Sequence, residues 1–166
     1  MPTNAARVQT DPMGTGRFLS LRMPSSNEGV RECIAVSAAF VREVGGSEQD
    51  LTAVELAMAE VLNNVVEHAY GDQGVGPMTL EIEALEDEIR LRIRDSGYPM
   101  PKGRLPSGQA ADTTLADFEQ DEGGYGLHMI RQLAKKLRYT RVGEENHLTF
   151  RMTLGAQHHW DADTDL

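Results

Sequence analysis

Two neighbouring segments, 78–84 and 89–94, alternate strictly between apolar and polar residues. A period of two residues is typical of a β-strand with one buried face. The polar positions of the first segment include Glu81 and Glu83, and those of the second are all arginine. Opposite charges in two such rows favour adjacent antiparallel strands whose solvent-facing side chains pair. Their apolar face must then be covered by another layer of the protein.

The segments before these strands supply that layer. Ser25 and Ser26 offer N-caps to an amphipathic helix that runs to about Val44, and Ser47 caps a second, longer helix. Alternation over 17–23 predicts a first strand, and alternation over 148–154 predicts a closing strand. A third amphipathic helix is predicted from 126 to 137, with cationic residues in its last turn. The pattern predicts an α+β two-layer sandwich, with a mostly antiparallel sheet and helices on one face.

The second helix carries a polar strip beside its apolar stripe. Glu60, Asn64 and His68 are spaced by four residues and therefore share one helix face. Apolar residues flank this strip on both sides, so a carboxylate and an amide placed there cost desolvation free energy unless something uses them. The alternative interpretation is an ordinary helix with a hydrated polar edge.

Two later segments change the balance between these interpretations. Asp95-Ser96-Gly97-Tyr98-Pro99 follows a strand, and Gly123-Gly124-Tyr125-Gly126 precedes a helix. With the Glu60–Tyr70 segment, they resemble, in this order, the N box, the D-x-G box and the glycine-rich box of one ATP-binding fold. This is the superfamily of gyrase, a heat-shock chaperone, sensor histidine kinases and mismatch-repair ATPases. The E-x-x-x-N-x-x-x-H-A-Y spelling is most similar to the anti-sigma-factor serine kinases.

This resemblance covers roughly residues 17–154 and implies the histidine-kinase-like ATPase fold. It implies an ATP-dependent serine-protein kinase that binds a sigma factor and phosphorylates an antagonist of the STAS type. The implied ligands are ATP and Mg²⁺, and the implied assembly is a homodimer.

The resemblance also assigns roles to the residues of the sheet. It implies that Asp95 binds the adenine amino group, that Gly97 lets the base approach the backbone, and that Thr149 helps Asp95 and a water to hold adenine. The residues alone leave another role open for Asp95, which is that of a turn acceptor at a strand end with Gly97.

The phosphate end of the site is assigned in the same way. An amide oxygen is a hard ligand that suits Mg²⁺, and the resemblance implies that Asn64 coordinates this ion. It implies that Glu60 is the general base for phosphoryl transfer. Gly124 and Gly126 precede a helix N-terminus, where backbone N–H groups favour phosphate; a simple turn is the alternative there.

The remaining segments predict the domain organisation. Residues 1–16 lack the basic and apolar regions of a signal peptide. They are expected to form a disordered leader. Residues 17–155 are expected to form one ATP-binding kinase domain, and residues 156–166 an acidic disordered tail. The stretch from about 98 to 122 is rich in proline and small residues and is predicted to be a lid over the site.

Charge and cysteine content exclude several classes of function. The net charge of −10 argues against direct nucleic-acid binding, which needs clustered cations. It favours encounter with a basic protein partner, although acidity also serves solubility alone. No apolar run approaches the ~20 residues of a membrane span. The single Cys33 is predicted to be a buried, reduced thiol, which together with the missing signal peptide predicts a cytoplasmic protein.

Two alternatives to the kinase remain open at this stage. The chain is also compatible with a nucleotide-dependent protein that sequesters a partner without useful kinase activity. The other alternative is a catalytic domain that acts on a separate phosphotransfer histidine. Retention of Glu60 beside Asn64 favours the enzyme over the silent binding protein.

Overall fold

The computed structural model describes residues 7–10, 17–103, 105 and 129–155. Six strands form one sheet in the order β1-β2-β3-β4-β6-β5, and every neighbouring pair is antiparallel. The strands are β1 (Arg7–Thr10), β2 (Arg17–Pro24), β3 (Pro77–Ala84), β4 (Glu88–Asp95), β5 (Lys135–Val142) and β6 (Glu145–Thr153). The helices are α1 (Asn27–Glu43) and α2 (Glu48–Asn64), with a further helical segment over 129–133. The predicted α+β two-layer architecture is confirmed.

The predicted antiparallel pairing of β3 and β4, with opposite charges facing each other, is confirmed. Glu81 lies opposite Arg92 and Glu83 lies opposite Arg90. The Arg90 guanidinium lies 2.9 Å from the Glu83 carboxylate, and Arg94 contacts Glu81 at 2.8 Å. Because these pairs are partly exposed, each contributes only about 0–1 kcal/mol. The alternation of the two strands places the charged rows toward solvent and the apolar rows toward the helices.

The core lies between the sheet and the helices. Leu80, Ile82, Leu91 and Phe150 come from the inward face of the sheet and are almost fully buried. Helix α1 contributes Cys33, and burial raises the pKa of this thiol to about 12. The predicted burial of Cys33 is therefore confirmed. Across the described ranges, every helix is too short or too polar to traverse a lipid bilayer.

The helix caps follow the sequence signals closely. The Ser26 hydroxyl accepts a hydrogen bond from the Gly29 N–H at 3.1 Å and begins α1. Ser47 and Asp50 form a capping box at the start of α2. Ser25, the other candidate cap, is instead buried and accepts a hydrogen bond from the Gly76 N–H at 2.8 Å. This bond ties the start of α1 to the entrance of β3.

Three sequence expectations differ from the structure. The leader predicted to be disordered contains β1, which pairs with β2; residues 1–6 and 11–16 lie outside the described ranges. The helix predicted to continue to residue 137 ends at 133, and β5 begins at Lys135. Leu137 continues the helical spacing of Ile130 and Leu133, but it also alternates with Tyr139 as strand residues do. Lys136 has a positive φ of 54° beside a register shift, and this irregularity hides the strand pattern.

The third difference concerns the end of the second helix. The α-helix stops at Asn64, and the segment Val65–Tyr70 continues as a π-helix. A π-turn inserts one residue into the helical repeat and is frequent at functional sites. The predicted alignment on one helix face therefore applies to Glu60 and Asn64. It does not extend to His68, which is exposed.

Asp50 fastens the start of α2 to the end of the sheet, and its replacement tests this contact. Its Oδ2 atom accepts hydrogen bonds from the Ser47 N–H at 2.8 Å and from the Gly155 N–H at 3.0 Å. Asp50→Ala removes the charged acceptor of both part-buried bonds and should lower the unfolding free energy by about 1–3 kcal/mol. Urea denaturation measures the change. Glu48→Ala is the matched control, since Glu48 makes an exposed contact with Arg42; equal losses in both variants would contradict the role of Asp50.

Candidate functional site

A buried carboxylate closes the apolar row of β4. Ile89, Leu91, Ile93 and Asp95 alternate along the inward face of this strand, and Asp95 is 7% exposed. A charged group at such a position requires hydrogen-bond partners. Burial raises the pKa of Asp95, while hydrogen bonds from Asn146 and Gly97 and the charge of Arg141 oppose the rise.

The two carboxylate oxygens of Asp95 have different surroundings. Oδ1 accepts hydrogen bonds from the Gly97 N–H at 2.9 Å and from the Asn146 Nδ2 at 2.7 Å. The turn-acceptor role left open from the sequence is therefore what Oδ1 performs. Within the described part of the chain, no side chain or backbone group donates to Oδ2. This oxygen remains available as an acceptor for a ligand.

Asn146 is the residue at this site that sequence reasoning missed. It lies on β6 directly opposite Asp95 and is 4% exposed. Its Oδ1 atom accepts hydrogen bonds from the Tyr139 hydroxyl at 2.6 Å and from the Arg141 Nη1 at 2.8 Å. Residue spacing carries no sign of this contact. The pairing of β4 with β6 reveals it, because the last residue of β4 must oppose a residue near the start of β6.

The structure does not bring Thr149 to Asp95, so its expected role beside that carboxylate is wrong. Thr149 lies opposite Arg92, and directly opposed residues project from the same face of a sheet. Asp95 is three positions from Arg92 and therefore faces the other way. Thr149 instead lines an open groove of about 290 Å³ on the outer face, with the cationic residues Arg90, Arg92, Lys136, Arg138 and Arg151.

Gly97 is required by the protein's own backbone. A Cβ atom at this position would lie 2.3 Å from the Ala69 carbonyl oxygen, far inside contact distance. The Tyr98 N–H donates to that same carbonyl at 2.6 Å. The sequence expectation attributed this glycine to the approach of a base. The structure adds a different reason, which is that the π-turn packs directly against the loop after β4.

The Tyr70 hydroxyl strengthens the same junction. It donates to the Pro77 carbonyl at 2.7 Å and accepts from the Ser96 N–H at 2.9 Å. Burial raises the pKa of Tyr70, so the hydroxyl keeps the proton that it donates. The end of the predicted N box and the start of the predicted D-x-G box are thereby held together.

The other half of the predicted site lies on the last turns of α2. Glu60 and Asn64 are both half-buried and one helical turn apart. The Asn64 Nδ2 atom is buried and has no hydrogen-bond partner among the described residues. Since the two ends of an amide are assigned by their partners, rotation of this group by 180° places the oxygen there instead. An unpaired buried amide fits a ligand position, and its oxygen suits Mg²⁺.

Several predicted elements lie outside the described residues. These are Gly124, Gly126 and most of the lid predicted over 98–122, whose described part ends with a short 3-10 turn at Pro101–Gly103 and with Leu105. Within the described ranges, no group of three or more histidine, cysteine or acidic side chains converges on one point. Mg²⁺ commonly has few protein ligands and completes its coordination with water and phosphate oxygens, so a single amide oxygen such as that of Asn64 fits this ion.

Comparison with protein families assigns the chain. Residues 23–152 match the model of the histidine kinase-like ATPase domain. The chain belongs to this family. Two curated relatives are the serine-protein kinase RsbW of Staphylococcus aureus strains bovine RF122 / ET3-1 and MSSA476. Each is 32% identical over 142 residues, covering 82% of this chain and 85% of the relative. The resemblance drawn from the three boxes is confirmed.

Two solved structures are similar to the chain at lower identity. One is the histidine kinase domain of a blue-light activated histidine kinase from Erythrobacter litoralis EL346, at 18% identity and a TM-score of 0.46. The match covers 78% of this chain and 63% of that one, so this chain spans less than two thirds of its length. The other is the catalytic domain of histidine kinase ThkA, at 15% identity and a TM-score of 0.45, covering 77% and 92% of the two chains.

Replacement of Gly97 tests the contact between the π-turn and the loop after β4. In Gly97→Ala the new methyl group meets the Ala69 backbone, so loop or helix must shift, at a cost of about 1–3 kcal/mol. Thermal or urea denaturation measures this loss. Ser96→Ala changes the exposed neighbouring side chain and should leave stability within about 0.5 kcal/mol. If Gly97→Ala were equally neutral, the close approach to Ala69 would not constrain the loop.

Proposed function

We propose that this chain is a protein serine/threonine kinase that uses Mg-ATP and acts as an anti-sigma factor. In this role it binds a sigma factor and phosphorylates an antagonist of the STAS type on a hydroxyl side chain. The observation that carries the proposal is the similarity to the serine-protein kinase RsbW over 82% of the chain. The Glu60–Asn64 pair and the open Asp95 oxygen support it, because they match the residues expected of such a site.

The nucleotide base is proposed to bind at Asp95. The Oδ2 atom of this buried carboxylate is an acceptor without a donor among the described residues, and the adenine amino group is a donor. Gly97 and Asn146 hold the carboxylate in place through hydrogen bonds to its Oδ1 atom. The phosphates are proposed to extend toward Asn64, with Gly124 and Gly126 as further phosphate-binding residues.

Asn64 is proposed to hold the magnesium ion, and Glu60 to act as the general base. When bound, Mg-ATP would supply the γ-phosphoryl group with ADP as the leaving group, and the Mg²⁺ ion would offset the negative charge of the phosphates. Glu60 lies one turn before Asn64 on the same helix face, so its carboxylate can accept the proton of a seryl hydroxyl at the phosphate end of the site. The chemistry then requires only positioning, charge neutralisation and one proton transfer.

The proposed partners follow from the same relationship. A sigma factor and a STAS-type antagonist are the two protein partners, and a homodimer is the proposed assembly. The net charge of −10 suits encounter with a basic protein surface. Nucleic acid is not among the proposed partners, because the net charge of −10 opposes binding to phosphate backbones.

Replacement of Asn64 tests the proposed metal site. Asn64→Ala removes the amide oxygen and should abolish most of the Mg²⁺-dependent gain in ATP affinity, a loss of about 1.5–3 kcal/mol. Isothermal titration calorimetry with and without Mg²⁺ measures this difference. Asn63→Ala is the matched control, because Asn63 is the exposed neighbour on the same turn. An unchanged magnesium dependence in Asn64→Ala would place the metal ligand elsewhere.

Replacement of Glu60 separates chemistry from binding. Glu60→Gln keeps the shape of the side chain but removes its basicity, so ATP and partner binding should persist. Phosphorylation of a purified STAS partner should fall by about 10²–10⁴-fold, the usual contribution of a general base. Glu55→Gln changes an exposed glutamate of the same helix and should retain full activity. Full transfer by Glu60→Gln would remove this residue as the base.

The wild-type measurement also distinguishes the alternatives. Tight ATP and partner binding without any phosphoryl transfer would identify a sequestering protein instead of a kinase. Where transfer occurs, acid treatment of the partner identifies the acceptor, since phosphoserine survives acid and phosphohistidine does not. An acid-labile product would indicate transfer to a separate phosphotransfer histidine.

A further inference from the structure

The orientation of the Asn146 amide is determined by its surroundings. Arg141 can only donate hydrogen bonds, and its Nη1 lies 2.8 Å from Asn146 Oδ1. The Tyr139 hydroxyl already accepts a bond from the Met100 N–H at 3.0 Å, so its proton points to the same Oδ1 at 2.6 Å. Two donors on one atom identify that atom as the oxygen. The opposite end of the amide, which faces Asp95, must then be the N–H₂ group.

Both protons of this N–H₂ group are directed to the loop after β4. One is donated to Asp95 Oδ1 at 2.7 Å and the other to the Tyr98 carbonyl at 2.9 Å. With the Gly97 N–H, Oδ1 receives two hydrogen bonds. Asp95 therefore offers a ligand one acceptor oxygen, Oδ2, where a free carboxylate offers two.

The number of free oxygens matters for the choice of purine. Adenine presents one exocyclic amino donor at its six position, and a single acceptor matches it. Guanine has a carbonyl there, while its ring N–H and its amino group form two adjacent donors that suit both oxygens of one carboxylate. A carbonyl placed against Oδ2 would bring two acceptors together and leave both unpaired, which is costly in a buried site.

We propose that Asn146, oriented by Tyr139 and Arg141, is a positioning residue that sets the preference of this site for adenine over guanine nucleotides. It does so by occupying Asp95 Oδ1 and leaving one acceptor for the base. The inference rests on the proposed function in requiring that a purine nucleotide binds at Asp95. Asn146 on β6, and Tyr139 and Arg141 on β5, would act on the base only through Asp95.

The ratio of GTP to ATP dissociation constants tests this role. In Asn146→Ala, Oδ1 loses a donor and becomes accessible, so ATP should bind more weakly, GTP should gain an acceptor, and the ratio should fall by about tenfold, equal to about 1.4 kcal/mol. A purely structural defect would weaken both nucleotides equally and leave the ratio unchanged. Calorimetric titration of the full chain with each nucleotide gives both constants.

A second variant keeps the test decisive if Asn146→Ala does not fold. Tyr139→Phe removes one of the two donors that orient the amide, and it should lower the same ratio by about threefold, or about 0.7 kcal/mol. His147→Ala is the control, because His147 projects from the opposite face of the same strand; its ratio should equal that of the wild type.

The outcomes separate this inference from the proposed function. A wild-type chain that binds ATP, together with unchanged ratios in the folded variants, overturns the role of Asn146 and leaves the kinase proposal standing. A wild-type chain that binds neither nucleotide overturns the proposed function, and the inference falls with it. A lowered ratio in Tyr139→Phe with an unchanged one in His147→Ala supports the inference.

Discussion

The Tyr70 hydroxyl joins three segments that are distant in the sequence. Through its bonds to Pro77 and Ser96 it connects the end of the second helix, the entrance of β3 and the loop after β4. Ala69 reinforces this junction by accepting from Tyr98, and Gly97 permits the approach. The relative position of the polar helix face and the buried Asp95 carboxylate depends on these contacts. The two halves of the candidate site lie in different layers, the helices and the sheet, and these contacts join the layers at this edge.

The sheet is held by a different kind of interaction. Its apolar face excludes water from a core that both helices share, and this burial supplies most of the stabilisation. The glutamate and arginine rows on the outer face contribute little free energy, but they identify one register. A shift by one residue would place arginines in the core. The charged rows therefore mainly determine which of the alternative strand registers forms.

Sequence reasoning succeeded where a local pattern has one physical meaning. The alternation of β3 and β4, the serine caps and the paired charges each specify their element without tertiary information. It failed for β5, because Leu137 also fits the period of the preceding helix and an irregularity at Lys136 breaks the alternation. It also placed Thr149 beside Asp95, because a motif on a strand does not state which face each residue occupies. Asn146 became visible only once β4 and β6 were paired.

The π-turn at Val65–Tyr70 has a consequence for how the two halves of the site are coupled. An α-helix of the same length would complete its turns one residue earlier and carry the Tyr70 hydroxyl around the axis, away from Ser96. The extra residue therefore rotates the end of a helix with a period of 3.6 residues so that it meets a sheet with a period of two residues. Deletion of one residue from this turn would leave Glu60 and Asn64 in place on α2. It would rotate Tyr70 away from its contact with the loop that follows Asp95. The proposed magnesium position at Asn64 and the proposed base position at Asp95 would then lose their fixed separation.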